Sequence, residues 1–217
     1  MTSPEIANSK PSQESSNSKP SQEISNSRSN HLPSLWEGSG VDCFRVILIG
    51  YMGAGKTTVG RALAKELGLQ FYDLDWYIEN RRRKKVAQIF AELGEDGFRQ
   101  IEHNMLHEVA EFENVVISCG GGTPCFFDNI DYMNQQGQVV YLRCSPEVLH
   151  GHLLMGKTER PLLKGKSPDE LVAFIREQLS VREPFYNKAR YQLDVTLMDN
   201  YDKIKITVEK LRELLGI

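Results

Sequence analysis

The chain has 217 residues, 40% of them hydrophobic and 25% charged, which is an ordinary globular balance and excludes a collagen or a coiled coil. Its 26 Lys and Arg against 29 Asp and Glu give a formal net charge of -3, so no nucleic-acid partner is expected. No apolar run reaches the roughly 18 residues that a membrane-spanning helix needs, so no membrane partner is expected either.

Residues 1–40 come first and are rich in Ser, Asn, Pro, Gln and Lys. Residues 8–14, NSKPSQE, recur as residues 17–23, and such a low-complexity segment has too little apolar area to offset the entropy of ordering. We predict a disordered linker or dispensable extension rather than a docking motif. The segment lacks the pattern of a signal or transit peptide, and the four cysteines of the chain form no C-x-x-C pair, so a cytoplasmic location is predicted.

Residues 41–217 alternate short apolar runs with longer helical patterns, which is typical of β-α units on a parallel sheet. The predicted strands are residues 44–49, 70–73, 115–118, 139–142 and 193–197. The predicted helices are residues 56–67, 86–112 with a break near Gly94, 146–154, 167–181 and 201–215. We therefore predict one three-layer α/β/α domain with a five-stranded parallel sheet, in which ligands bind beyond the carboxyl ends of the strands.

A phosphate-binding loop follows the first predicted strand. Residues 50–57, GYMGAGKT, fit the pattern G-x-x-x-x-G-K-[ST] and lie between a strand and a helix, as that pattern requires. Backbone N–H groups of such a loop converge on phosphate oxygens, Lys56 neutralises the β- and γ-phosphates, and Thr57 can bind Mg2+. The predicted nucleotide contacts are Gly53, Ala54, Gly55, Lys56, Thr57 and Thr58.

Other residues indicate which class of phosphate-loop protein this is. A GTPase would carry N-K-x-D, but residues 187–190 read NKAR, so guanine specificity loses support. A motor would end a core strand with an acid, whereas the third and fourth predicted strands lead to Cys119 and Arg143. The acids, Asp73 and Asp75, follow the second strand instead.

Asp73 and Asp75 are predicted to divide the work of a kinase site. Strand alternation would point both carboxylates to the same side, toward the phosphate loop. One acid beside the water shell of the metal and another on the acceptor hydroxyl would suit phosphoryl transfer. The alternative is that Asp75 caps a helix starting near Trp76.

Four further motifs follow. GEDGFRQIE places Arg99 and Glu102 one helical turn apart, where an intrahelical ion pair is the simpler interpretation. The glycine run 120–122 would let a small ligand press against backbone, unless it is only a flexible turn. Residues 160–163, RPLL, lie among Gly and Lys and suit a mobile lid, and residues 182–186, REPFY, follow a long helical pattern.

In this order, G-x-x-G-x-G-K-[ST], D-x-D, G-E-x-x-F-R-x-x-E, G-G-G, R-P-L-L and R-x-P-x-Y resemble the shikimate kinase family over residues 44–217. The resemblance implies transfer of the ATP γ-phosphoryl group to the 3-hydroxyl of shikimate, in the chorismate route to aromatic amino acids. It also implies a P-loop kinase fold like that of nucleoside monophosphate kinases, with a mobile lid. The implied ligands are ATP, Mg2+ and shikimate, and we expect a monomer.

The resemblance also implies roles for individual residues on the acceptor side. Asp75 would hold the attacking hydroxyl and act as its base. Arg99 and Arg182 would bind the shikimate carboxylate, because guanidinium forks suit planar carboxylates, and Glu102 would orient Arg99. The implied backbone contacts to the substrate are Gly120, Gly121 and Gly122.

On the phosphate side, the resemblance implies that Lys56 and Arg160 are catalytic. Arg160 would reach the transferring phosphate and ATP from the lid. Asp73 would orient a water molecule on Mg2+ that Thr57 binds.

The chain departs from the family pattern at two places. Members often carry an Arg about seven residues before R-P-L-L that lies along the adenine, whereas this chain has Leu153, next to His152, so the adenine contacts stay open. Residues 81–85, RRRKK, occupy a place where members often have Gly. We predict a solvated helix end there rather than a localisation signal or polyanion contact.

Two further signals have simpler interpretations, and two rival functions stay open. His103 and His107 lie four residues apart, but no third metal ligand is apparent, so surface histidines are predicted. Cys119 is interpreted as a buried, inert thiol. The rivals are a kinase for another small hydroxy acid such as gluconate, and a kinase-like binding module without turnover.

Overall fold

The structure is a computed structural model and describes residues 44–155 and 167–217. The predicted extension at residues 1–40 and the R-P-L-L segment with Arg160 lie outside these residues. Within them, no helix has the length and apolar character needed to cross a membrane.

Five parallel strands form one sheet in the order β2-β3-β1-β4-β5, which confirms the predicted α/β class. They are β1 Arg45–Ile49, β2 Gln70–Asp73, β3 Val115–Ser118, β4 Gln138–Arg143 and β5 Tyr191–Asp194. The central strand, β1, is covered on both faces, and for this reason it reads as a continuous apolar run rather than an alternating one.

Seven α-helices connect or follow the strands in the described residues. They are α1 Lys56–Leu67, α2 Leu74–Arg82, α3 Val86–Ala110, α4 Asn129–Gln136, α5 Pro146–Met155, α6 Pro168–Tyr186 and α7 Tyr201–Leu215. The chain crosses from β1 to β2 in one direction and from β2 to β3, β4 and β5 in the other. Because such crossovers are right-handed, α1 lies on one face of the sheet and α3 to α6 lie on the opposite face. Helix α7 packs against α1 and completes the three layers.

Two glycines set the ends and the bend of helices as predicted. Helix α1 ends at Gly68, whose φ of 68° is in the left-handed region that favours glycine. Helix α3 bends at Gly94, where φ is 70° and ψ is -175°, so the predicted break is present. The bend separates the first turns of α3 from the part that carries Arg99 and Glu102.

The structure corrects several predicted boundaries. Helix α4 was not predicted, since its sequence is largely polar and only two of its hydrophobic side chains, Ile130 and Met133, are buried. Strand β5 begins at Tyr191 rather than at residue 193. Helix α6 continues through Pro184 to Tyr186 instead of ending at residue 181, and the fully buried Tyr186 side chain holds this last turn in the core.

Candidate active site

A cleft of about 400 Å3 opens at the carboxyl ends of the central strands, where ligands of open parallel sheets bind. The phosphate loop, both predicted acids and the first two residues of the glycine run, Gly120 and Gly121, contribute to its walls. Ala54 is the predicted nucleotide contact that is fully buried in the core, and it does not line the cleft.

The phosphate loop has the backbone geometry that anion binding requires. Gly53 and Gly55 have φ values of 84° and 85°, in the left-handed region, and Gly55 directly precedes α1. The N-terminus of α1 therefore faces the cleft. The Lys56 ammonium donates to Gly50 O and Tyr51 O, both at 2.9 Å, so it lies across the loop at the place where phosphates would bind.

Asp73 and Thr57 are joined at the edge of the cleft. The Thr57 hydroxyl donates to Asp73 Oδ2 at 2.8 Å, and the other carboxylate oxygen accepts from the Trp76 N–H at 3.5 Å. Asp73 is thus the N-cap of α2. The helix-capping role that sequence analysis weighed for Asp75 belongs to Asp73.

Asp75 lies in the first turn of α2, not on a strand, so the alternation argument for it was wrong. It still reaches the cleft, because α2 begins directly where β2 ends. Burial raises the pKa of the Asp75 carboxyl to about 6, and the negative charges of Asp73 and Glu102 add to the shift. A carboxylate with a pKa near the working pH is suited to accept a proton from a reacting hydroxyl.

The glycine run 120–122 is the surface on which the predicted acceptor-side residues converge. A Cβ on its first residue would lie 3.2 Å from Asp75 Oδ1, and one on its middle residue 3.5 Å from Arg182 Nη1. A Cβ on its last residue would lie 2.6 Å from Arg99 Nη2. The missing side chains leave room for three functional groups to surround one stretch of backbone.

Arg99 is held by carboxylates and an aromatic ring. Its Nη1 donates to Glu102 Oε2 at 2.8 Å, and its Nη2 donates to Glu95 Oε1 at 3.0 Å. The Glu102 side chain is 1% exposed and accepts a further hydrogen bond from the Thr123 hydroxyl at 2.6 Å. The guanidinium carbon also lies 4.1 Å from the centre of the Phe126 ring. The predicted intrahelical ion pair is present, and it fixes the orientation of the Arg99 guanidinium group.

Arg182 belongs to the last turns of α6, next to the phosphate loop. Its Nη2 donates to Gln178 Oε1 at 3.3 Å, and its guanidinium carbon lies 5.2 Å from the centre of the Tyr51 ring. The Tyr186 hydroxyl donates to Gly121 O and so ties the end of α6 to the glycine run. This explains the Tyr of R-x-P-x-Y, to which sequence analysis gave no role.

His152 and Met198 line the cleft beside the phosphate loop, and the sequence indicated no role for either residue. The Met198 N–H donates to His152 Nε2 at 2.8 Å, so the proton of the neutral ring is on Nδ1, which donates to Gly53 O at 2.7 Å. The Met198 Cε lies 2.1 Å from the position of a Cβ on Gly55. No motif in the sequence marks either residue.

The basic run 81–85, Cys119 and the histidine pair were given no part in the predicted site. Residues 81–85 are exposed, and Arg81, Lys84 and Lys85 are in ion pairs, as expected of a solvated helix end. Burial raises the pKa of the Cys119 thiol well above its usual range. The histidine pair lies on α3, but the expectation that it has no third partner was wrong, because Asp128 lies beside it.

Comparison with known proteins identifies the family. The family model described as "Shikimate kinase" matches residues 52–213. The shikimate kinase of Phocaeicola vulgatus is 54% identical over 172 residues, which cover 79% of this chain and 98% of that relative. The crystal structure of shikimate kinase from Bacteroides thetaiotaomicron matches with a TM-score of 0.78 and 52% identity, over 80% of this chain and 99% of that chain. The shikimate kinase from Acinetobacter baumannii in complex with shikimate matches with a TM-score of 0.68 and 33% identity, over 81% of this chain and 94% of that chain. The chain belongs to the shikimate kinase family.

Proposed function

We propose that this protein transfers the γ-phosphoryl group of ATP to the 3-hydroxyl of shikimate, which gives shikimate 3-phosphate and ADP in the route to chorismate. The observation that carries the proposal is the convergence of Asp75, Arg99 and Arg182 on the glycine run 120–122. This convergence lies beside a phosphate loop, in a chain of the shikimate kinase family.

On the acceptor side, the two guanidinium groups of Arg99 and Arg182 bind the carboxylate of the substrate. Guanidinium forks match the two oxygens of a carboxylate, and charge-assisted hydrogen bonds of this kind are the stronger ones. Gly120, Gly121 and Gly122 let the ring of the substrate approach the backbone. Glu102, fixed by Thr123, keeps Arg99 in position.

Asp75 acts as the base for the attacking hydroxyl. As the substrate oxygen forms its bond to the γ-phosphorus, the hydroxyl proton passes to the Asp75 carboxylate, and the bond from phosphorus to the bridging oxygen of ADP breaks. The raised pKa of Asp75 makes this transfer less costly than it would be to an ordinary carboxylate.

On the phosphate side, the backbone from Gly53 to Thr58 cradles the phosphates and Lys56 neutralises their charge. The Thr57 hydroxyl and the Asp73 carboxylate fit Mg2+, because they are hard oxygen donors 2.8 Å apart at the edge of the cleft. Thr57 would bind Mg2+ directly and Asp73 through water, and the ion would neutralise negative charge on the phosphates. Arg160, which lies outside the described residues, is proposed to contribute a further positive charge that offsets the negative charge of the transferring phosphoryl group.

We propose that the enzyme works in the cytoplasm as a monomer. All of the groups proposed for catalysis come from one chain, so no partner subunit is required to complete the site. Cys119, Cys125 and Cys144 are free thiols, in agreement with a reducing compartment.

The experiment that tests the function is ADP release from MgATP, measured with and without shikimate. Gluconate and other hydroxy acids serve as alternative acceptors, and Asp75→Asn is the site control. We expect turnover that depends on shikimate and is lost in Asp75→Asn. Turnover on gluconate alone would overturn the acceptor assignment, and ATP binding without turnover on any acceptor would leave a binding module.

A further inference from the structure

A cluster of three metal-binding side chains lies outside the cleft. His103 and His107 are four residues apart on α3, and Asp128 directly precedes α4. Each residue offers one ligand atom, and these three atoms lie within 4.8 Å of one another. The fold therefore supplies the third ligand that the sequence pattern did not reveal.

His103 is held in one tautomer by its neighbours. Its Nδ1 lies 2.7 Å from Asn129 Oδ1, and the orientation of that amide is fixed because Asn129 Nδ2 donates to Thr123 O at 2.8 Å. Since the amide oxygen only accepts, His103 Nδ1 carries the proton and Nε2 keeps the lone pair that a metal ion needs. Asp128 Oδ1 lies 4.0 Å from the protonated Nδ1, so the carboxylate has to turn toward Nε2 to share an ion with it. Histidines that bind metals commonly donate their other N–H to such an oxygen.

His107 is fixed in orientation, but its buried Nε2 lacks a hydrogen-bond partner among the described residues. Its ring stacks on Tyr132, with centres 3.6 Å apart and planes 12° apart. A buried polar atom without a partner calls for an explanation, and a bound ion or water supplies one.

We propose that His103, His107 and Asp128 bind Zn2+ or a similar divalent transition-metal ion. Two imidazoles and one carboxylate are a ligand set that suits Zn2+, whereas Mg2+ and Ca2+ favour oxygen ligands alone. Ligand atoms about 2 Å from a tetrahedral ion are about 3.4 Å apart, so side chains have to rotate to bring the three donor atoms around one ion. Asp128, whose side chain is 73% exposed, has room to make this adjustment.

The bound ion would join α3 to the segment that begins α4. An ion that binds only the folded chain stabilises it, so added Zn2+ should raise the unfolding temperature. Binding is measured without turnover, and the proposal does not depend on the proposed function.

The test is titration calorimetry of Zn2+ into the full-length, metal-free chain, with excess Mg2+ and ADP present to occupy the oxygen donors of the cleft. Thermal unfolding with and without Zn2+ is recorded in parallel. We expect one Zn2+ per chain and a higher unfolding temperature. Absence of binding would overturn the proposal.

Three variants locate the ion. Asp128→Asn and His107→Gln should each lower the Zn2+ affinity tenfold or more, whereas His150→Gln, on α5 and outside the cluster, should leave it unchanged. Circular dichroism checks that each variant is folded. Binding that survives both cluster substitutions would overturn the site. Binding that is lost in His107→Gln but unchanged in Asp128→Asn would also overturn it, because the ion would then be held by histidines alone.

Discussion

Asp75 is placed where burial and two neighbouring carboxylates oppose its ionisation, and its pKa is raised to about 6. A base must be ionised to accept a proton, so kcat/KM for shikimate should fall as the pH drops below about 6. Asp75→Asn should lower turnover by about 100-fold or more at pH 7 while ATP binding persists. Rate profiles between pH 5 and 8 check this. If Asp75→Asn stayed active and its kcat/KM still fell below about pH 6, Asp75 would not be the base.

The raised pKa of Asp75 also makes the folded chain less stable at neutral pH than at acidic pH. Between pH 3.8 and about 6 the folded chain holds the Asp75 proton more tightly than the unfolded chain, so stability is lost as the pH rises through this range. The cost at pH 7 is on the order of 3 kcal/mol, since each pKa unit corresponds to about 1.4 kcal/mol. Asp75→Asn should therefore unfold at a higher urea concentration than wild type at pH 7, and the difference should shrink toward pH 4. Equal urea midpoints for Asp75→Asn and wild type at pH 7 would contradict the raised pKa of Asp75.

Arg99 is the second residue whose role can be measured alone. Arg99→Ala removes a charge-assisted hydrogen bond worth roughly 1.5–3 kcal/mol, so KM for shikimate should rise about 10- to 100-fold while KM for ATP changes little. Arg176→Ala, an exposed arginine of α6 paired with Glu147, is the matched control. An unchanged KM for shikimate in Arg99→Ala would make Arg99 only a partner of Glu102 in an ion pair.

At the scale of secondary-structure elements, the sequence predicted the strands and helices whose hydrophobic pattern agrees with their capping and turn residues. Strand β1 and helix α1 combine an apolar run, a phosphate-loop motif and the closing Gly68. Helix α4 carries no comparable signal, since its short polar sequence is held by tertiary contacts. Helix α6 continues past its predicted end at residue 181 and through Pro184, because the buried Tyr186 and its hydrogen bond to the glycine run outweigh the unfavourable effect of proline in a helix.

The glycine run matters because its residues lack side chains, which lets neighbouring functional groups lie close to its backbone. Gly122 has a φ of -90°, which alanine also adopts, so Gly122→Ala should not strain the backbone. Its Cβ would nevertheless lie 2.6 Å from Arg99 Nη2 and displace the guanidinium group. We expect a raised KM for shikimate with KM for ATP unchanged, measured by steady-state kinetics. A variant with wild-type constants would show that Arg99 adapts and that the close approach is not required.

At the scale of the whole molecule, the candidate site depends on contacts between segments far apart in sequence. Motif spacing could name Asp75, Arg99 and Arg182, but their convergence follows from the strand order, which no single segment encodes. His152 is the clearest example of what sequence could not reveal. Its two ring nitrogens contact the phosphate loop and the segment after β5, and neither contact has a local signature.

His152 therefore offers a test of how the nucleotide side is held together. His152→Ala removes hydrogen bonds to Gly53 O and from the Met198 N–H, each worth about 1 kcal/mol, so KM for ATP should rise by about fivefold or more. His152→Gln keeps a donor and an acceptor and should recover part of the loss. The proposed shikimate site lies on the other side of the cleft, so KM for shikimate should stay near the wild-type value in both variants. A general loss of folding would raise no KM selectively, whereas a rise in KM for shikimate alone would show that His152 acts on the acceptor instead of the nucleotide.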